Sequence, residues 1–233
     1  MKIAVLGTGG GARCHTAKLL ELGHDVYVGT RNPEATLGNT EPDQMGNPPY
    51  RDWAAEHPGA TLDTFGAAAA AADVVISGIA GGHAVATLGA IRENLSGKTL
   101  IDYAVPYVYD HDSAHKWPTP WGFMPLLDPA DSDSLAEQIQ RALPDTRVVK
   151  SFVTQEQETV VDPKSVGGGD HTMFVAGDHD DAKDVAIQIL REYGWTNILD
   201  LGSLVTARGL EMYAHFHAAV GLALGRTFGV KIV

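Results

Sequence analysis

A chain of 233 residues with 44% hydrophobic and 20% charged side chains can bury a substantial core and is too apolar to remain disordered. Its 17 basic residues against 29 acidic ones give a formal charge of -12, which repels a phosphate backbone at long range and argues against nucleic acid as a partner. Cys14 is the only cysteine, so neither an intrachain disulfide nor a cysteine-rich metal centre can form, which fits a reducing cytoplasm.

The apolar run within Met1 to Gly11 is too short for a signal-peptide core, so the mature chain is expected to start at Met1. Lys2 to Leu6 reads as a buried strand, then come glycines and a helical pattern from Ala12 to Leu22 that stops at Gly23. Asp25 to Val28 is the next strand. Thr30 to Pro58 carries five prolines and reads as a loop-rich cover with one short helix near Tyr50 to Glu56. Ala60 to Leu62 reads as a short strand, Gly66 to Ala72 as an alanine-rich helix and Val74 to Ser77 as a buried strand. His83 to Leu95 reads as a helix and Thr99 to Tyr103 as a strand. This alternation of short apolar strands with helices implies right-handed crossovers and a mainly parallel, doubly wound α/β sheet.

From Ala104 to Asp133 the pattern lapses. The segment holds Pro106, Pro118, Pro120, Pro125, Pro129, Trp117 and Trp121, and its length suits an ordered lid whose tryptophans offset part of the ordering entropy. Leu135 to Leu143 resumes as helix and Arg147 to Val153 as strand. A glycine turn at Gly167 to Gly169, a strand at Thr172 to Ala176 and a helix from Asp180 to Tyr193 follow. A strand at Asn197 to Leu201 and a long helix from about Ser203 to Arg226 complete the pattern. The division expected is a dinucleotide-binding Rossmann domain over residues 1–150 and a small C-terminal substrate or dimerisation domain over 151–233. The apolar stretch Ala218 to Leu224 is far below the ~20 residues of a membrane span. Gly221, Gly225 and Gly229 would clear one helix face for a tight contact, such as a dimer interface.

Gly7-Thr8-Gly9-Gly10-Gly11-Ala12 matches the G-x-G-x-x-G/A form, between a strand and a helix. Gly7 permits the tight turn, Gly9 a close approach of backbone to pyrophosphate, and Ala12 close packing of helix on strand. The helix N-terminus then offers free N–H groups and a positive dipole end to the phosphates. The second strand runs out through Val28-Gly29-Thr30-Arg31-Asn32, with a hydroxyl and a guanidinium where an NAD-binding site would carry an acid. An acid there would repel a 2′-phosphate, so NADP(H) is the cofactor expected.

Candidates for proton transfer to a reduced carbonyl or imine are Tyr103 at the end of the fifth strand, Glu156 after the sixth and His83 opening a helix. Tyr103 reads equally well as a packing aromatic, and Glu156 and His83 as ordinary helix-start residues. Glu211 with His215, and Tyr213 with His217, share helix faces as pocket or interface residues. The two histidines point in different directions, which disfavours a metal site. Asp178, ahead of His179-Asp180-Asp181, reads as a helix cap.

The segments MKIAVLGTGG, VYVGTRNPEAT, VVKSF followed by VDP, VGGGDHTMFVAGD and DLGSLVTARGLEMY are similar to the deazaflavin-dependent NADP reductase family over nearly the whole chain. The resemblance implies NADPH in a cleft between a Rossmann domain and a small C-terminal domain, and often a homodimer. It also implies hydride exchange with an 8-hydroxy-5-deazaflavin coenzyme. Thr8, Gly9, Thr30 and Arg31 fall on the family's NADP-binding motifs, and Ile79, Ala80 and Val153 where the chain approaches the nicotinamide. Val153 stands where the family carries His or Asn. Two other readings are compatible with the residues: an imine, carbonyl or enone reductase, and an NADPH-binding sensor without turnover.

Overall fold

In β1 (Lys2–Leu6), Ile3, Ala4, Val5 and Leu6 are all buried, because helices cover both faces of the strand. The computed structural model to which it belongs describes residues 1–233 except 44, 115, 120 and 121. After β1 come α1 (Gly10–Glu21), β2 (Asp25–Thr30), α2 (Pro33–Gly38), α3 (Tyr50–Glu56), β3 (Thr61–Thr64), α4 (Phe65–Ala71) and β4 (Val74–Ser77). The expected helix from His83 to Leu95 is two: α5 (Gly81–Gly89) and α6 (Arg92–Leu95), parted where Gly89 weakens helix propagation. β5 (Thr99–Asp102) follows and stops one residue before Tyr103.

The 104–133 segment is tied by β6 (Tyr107–Val108), antiparallel to β7 (Leu126–Leu127), and by the buried Phe123. Trp117 is half-buried, and its backbone N–H donates to the Gly122 carbonyl at 3.0 Å. Pro120 and Trp121, expected to help order this segment, lie outside the described residues. The chain continues through α7 (Leu135–Ala142), β8 (Arg147–Ser151), α8 (Gln157–Val161), β9 (Thr172–Gly177), α9 (Asp180–Tyr193), β10 (Asn197–Asp200) and α10 (Ala207–Leu224).

The larger sheet has eight strands in the order β10-β9-β8-β5-β4-β1-β2-β3. Neighbours are parallel throughout except β8 and β9, which are antiparallel. Strand order reverses between β1 and β4, and the loops leaving their carboxyl ends are where an open α/β sheet receives its ligand. Two large apolar clusters flank the sheet, one containing Ile3, Val5, Phe152 and Trp195 and the other Leu6, Leu88, Leu100 and Leu135. Each such side chain contributes roughly 1.5–3 kcal/mol on burial.

Three expectations are corrected. Gly221 alone of the glycine triplet lies within α10, since Gly225 is its left-handed cap (φ +61°) and Gly229 sits beyond, against His171. The helix therefore carries no stripe of three glycines. Asp178 does not cap α9: the cap position is His179, and the Asp178 carboxylate accepts from the Leu204 N–H at 2.8 Å, tying the turn before α10 to β9. The last helix starts at Ala207, after a short 3-10 turn over Leu204–Thr206, because the chain must first turn away from β10. Among the described residues no helix is long and apolar enough to cross a membrane.

Candidate functional site

The chain leaves β1 at Gly7, whose φ of +134° is open to glycine and strained for other residues. Gly9 is the N-cap of α1, and among the described residues no side chain caps this helix and no acid occupies its first turn. Its first N–H groups are thus available to an anion. Thr8 and Gly9 open onto a cavity of about 520 Å³ that Thr30, Arg31, Asn32, Thr36 and Tyr50 also line. The lining mixes the donors of Thr30, Arg31 and Asn32 with the carboxylates of Glu41 and Asp43. Arg31 is exposed and makes no ion pair among the described residues. The Thr30 and Thr36 hydroxyls share a 2.8 Å hydrogen bond, and Asn32 accepts from the Ala35 N–H at 3.0 Å to cap α2. Asn32 therefore shapes the cavity wall as a helix cap.

Arg13 is a site residue that the sequence reading missed. It is 8% exposed, donates to the Thr8 carbonyl at 2.8 Å and the Pro48 carbonyl at 2.6 Å, and lies over the Tyr50 ring. Burial lowers its pKa, opposed by the neighbouring Asp43 carboxylate. The proline-rich stretch is thereby clamped onto the glycine loop, which makes it the cover that its composition suggests.

Two further cavities, of about 310 and 280 Å³, carry the track across the sheet edge. The first shares Thr8, Thr30 and Arg31 with the large cavity and adds Ile79, Ala80 and His83. The second shares Ile79, Ala80 and His83 with its neighbour and ends among Tyr103, Ala104, Val105, Tyr107 and Tyr109. The whole spans the carboxyl ends of β2, β1, β4 and β5, where an open α/β sheet receives its ligand.

Tyr103 and His83 therefore meet at one end of the track. His83 is exposed in the first turn of α5. The Tyr103 ring stacks on the buried His15 at 5.2 Å, and its hydroxyl fills the space a Cβ on Gly78 would need, 2.0 Å from that position. Burial, then the nearby Cys14 and Asp102, raises the Tyr103 pKa, so at neutral pH the phenol keeps its proton and can donate. Glu156 is elsewhere. It precedes α8 with its side chain 57% exposed, 3.8 Å from His217, in a separate hollow with Arg226 and Phe228. Val153 is buried with Ala176 and Leu210 and backs Val105, behind the cavity wall. His215 binds the Pro125 carbonyl at 2.7 Å, holding the 104–133 segment to α10. Glu211 is core, not pocket surface: it is 2% exposed and ion-paired to Lys150 at 2.9 Å.

His15, also missed, donates from Nε2 to Gln157 Oε1 at 2.8 Å and accepts at Nδ1 from the Tyr193 hydroxyl at 3.0 Å. Burial lowers its pKa to about 4, keeping it neutral under the glycine loop. Gln157 Nε2 in turn donates to the carbonyl of Phe152, a buried residue at φ +63°. The signal for the other missed group, Lys150 with Asp102, was visible: a charge inside each of two short apolar strands needs a buried partner.

A Rossmann sheet with this track at its switch point defines a dinucleotide-dependent oxidoreductase. Residues 2–106 match the family model described as NADP oxidoreductase, coenzyme F420-dependent. The F420-dependent NADP reductase of Methanothermobacter marburgensis is 31% identical, with 91% of this chain and 88% of that protein covered. The enzyme of the same description from Methanocaldococcus jannaschii is 26% identical over 91% and 88%. A crystal structure from Arthrobacter sp. FB24, provisionally called an F420-dependent NADP reductase, superposes with a TM-score of 0.91 at 41% identity, covering 100% of this chain and 99% of that one. The chain belongs to the F420-dependent NADP reductase family.

Proposed function

We propose that the protein transfers hydride between NADPH and coenzyme F420, an 8-hydroxy-5-deazaflavin, at the Tyr103 end of the track. The observation that carries this reading is the continuous path from Arg31 to Tyr103 across the switch point, in a chain of this family. NADPH, when bound, would supply the hydride, and the acceptor would take up that hydride together with one proton. The N-terminus of α1 and Thr8 would hold the pyrophosphate, and Arg31 with Thr30 would hold the 2′-phosphate. Ile79, Ala80, Tyr103 and Val105 line the proposed reacting end, with Val153 packed against Val105 from behind. Ring stacking at near-attack distance is the main demand of such a transfer. Tyr103 and His83 would supply donors for charge developing on the acceptor, whereas Glu156, in its separate hollow, stands outside the reacting end.

Residues 1–150 hold the dinucleotide in this reading, and residues 151–233 serve the acceptor and a second copy of the chain. Phe216, Leu222 and Leu224 are exposed apolar residues on α10, which supports a homodimer through that helix. A single free cysteine suits the cytoplasm, where NADPH is at hand.

The test mixes protein with NADPH and oxidised F420 and follows both chromophores, with NADH in parallel. NADPH-selective reduction of F420 is the expected result. NADPH binding without F420 reduction would overturn the acceptor assignment and turn the search to imines, carbonyls and enones.

A further inference from the structure

Asp102 and Lys150 are opposite each other on β5 and β8, and both are fully buried. Lys150 Nζ lies 2.7 Å from Asp102 Oδ2 and 2.9 Å from Glu211 Oε1. It also donates to the Ala104 carbonyl at 2.5 Å, so all three ammonium protons are used. Asp102 Oδ1 accepts from the Ala104 N–H at 3.3 Å. One network thus holds both the N–H and the C=O of Ala104. Glu211 brings in α10 and accepts from the Leu135 and Ala136 N–H groups at 2.8 and 3.1 Å, capping α7. Burial opposes the Lys150 charge, but the two carboxyl groups outweigh it and raise its pKa above the ordinary lysine value.

Apolar side chains of similar volume would stabilise this position as well or better, because desolvating three ionisable groups offsets much of their attraction. What the network does that apolar packing could not is fix the Ala104 peptide, and Ala104 lies between Tyr103 and Val105 in the wall of the reacting cavity. We infer that Lys150 is a positioning residue for hydride transfer, acting through Ala104 to hold the Tyr103–Val105 wall against which nicotinamide and acceptor align. The inference rests on the proposed function for its catalytic consequence. Its structural consequence, immobilisation of this wall, is independent of the acceptor.

The test is the triple variant Lys150→Met/Asp102→Asn/Glu211→Gln, which preserves volume and leaves no lone buried charge. Three readouts are taken: NADPH affinity by fluorescence titration, single-turnover hydride transfer to F420, and amide hydrogen exchange over residues 103–109 without acceptor. We expect NADPH affinity within about twofold of the parent and transfer slowed at least about tenfold. Exchange over 103–109 is expected to be faster by about tenfold or more. Wild-type transfer and exchange in the folded variant would overturn the inference, as would a loss of NADPH affinity equal to the loss of rate. Should the triple variant fail to fold, Asp102→Asn alone is read in the same way, with about threefold slower transfer expected and wild-type values in both readouts overturning. If the parent protein itself does not reduce F420, the function assignment fails. Hydrogen exchange then decides the positioning claim by itself, and unchanged protection of 103–109 overturns it.

Discussion

The two ends of the dinucleotide track are built by opposite means. At the end proposed for the 2′-phosphate the lining residues are consecutive or nearly so, Thr8 and Gly9 in one turn and Thr30, Arg31 and Asn32 in another. The arginine expected to meet the phosphate is exposed. At the reacting end, the wall around Ala104 is held by residues from β5, β8 and α10, distant in sequence and excluded from water. A ligand charge can be met by a solvated side chain that pays little desolvation, whereas a reacting geometry has to be held by groups that cannot move.

The comparison can be broken first at Lys150. Lys150→Met alone leaves Asp102 and Glu211 buried without their ammonium, and is expected to lower unfolding stability by about 3–5 kcal/mol in urea titrations. A loss below about 1 kcal/mol would show that the carboxyl groups adapt and that the buried network does not make this wall rigid.

Next in size is the pH response of His15. Its folded pKa, depressed by burial to about 4, lies below its unfolded value of 6.5. Stability from the neutral ring is therefore fully present above about pH 6.5, is lost progressively between about pH 6.5 and 4, and levels off below 4, by about 3 kcal/mol in all. Urea unfolding at a series of pH values should show this slope, and His15→Gln should flatten it. An equal slope in both proteins would remove His15 as its source.

At the opposite end, Arg31→Ala should weaken NADPH binding by about 1.5–3 kcal/mol and leave NADH binding nearly unchanged. Titration with both nucleotides measures it, and an equal loss for the two would dissociate Arg31 from the 2′-phosphate. The smallest effect is expected from Asn32→Ala, about 1 kcal/mol of stability through the lost cap of α2. A change in NADPH affinity much larger than the change in stability would show that Asn32 also touches the nucleotide.

The glycine loop, the missing acid after β2 and the strand–helix alternation were legible because each depends on residues close together in the chain. The wound sheet follows from them, since short apolar strands parted by helices have few ways to pack. The antiparallel entry of β9 and the small β6–β7 pair were not legible, being decided by what the chain finds as a neighbour. Of the three proton-transfer candidates, Tyr103 and His83 share a cavity and Glu156 occupies another, a separation that spacing along the chain does not encode. Glu211 shows the same limit. On a helix its position beside His215 suggested a pocket, and only the approach of β5 and β8 revealed that its partner was a buried lysine.

Local sequence thus determined the glycine turn and the run of residues after β2, where backbone conformation and near neighbours in the chain suffice. Packing between distant segments settled the reacting end, because the field around a buried charge depends on every group folded against it.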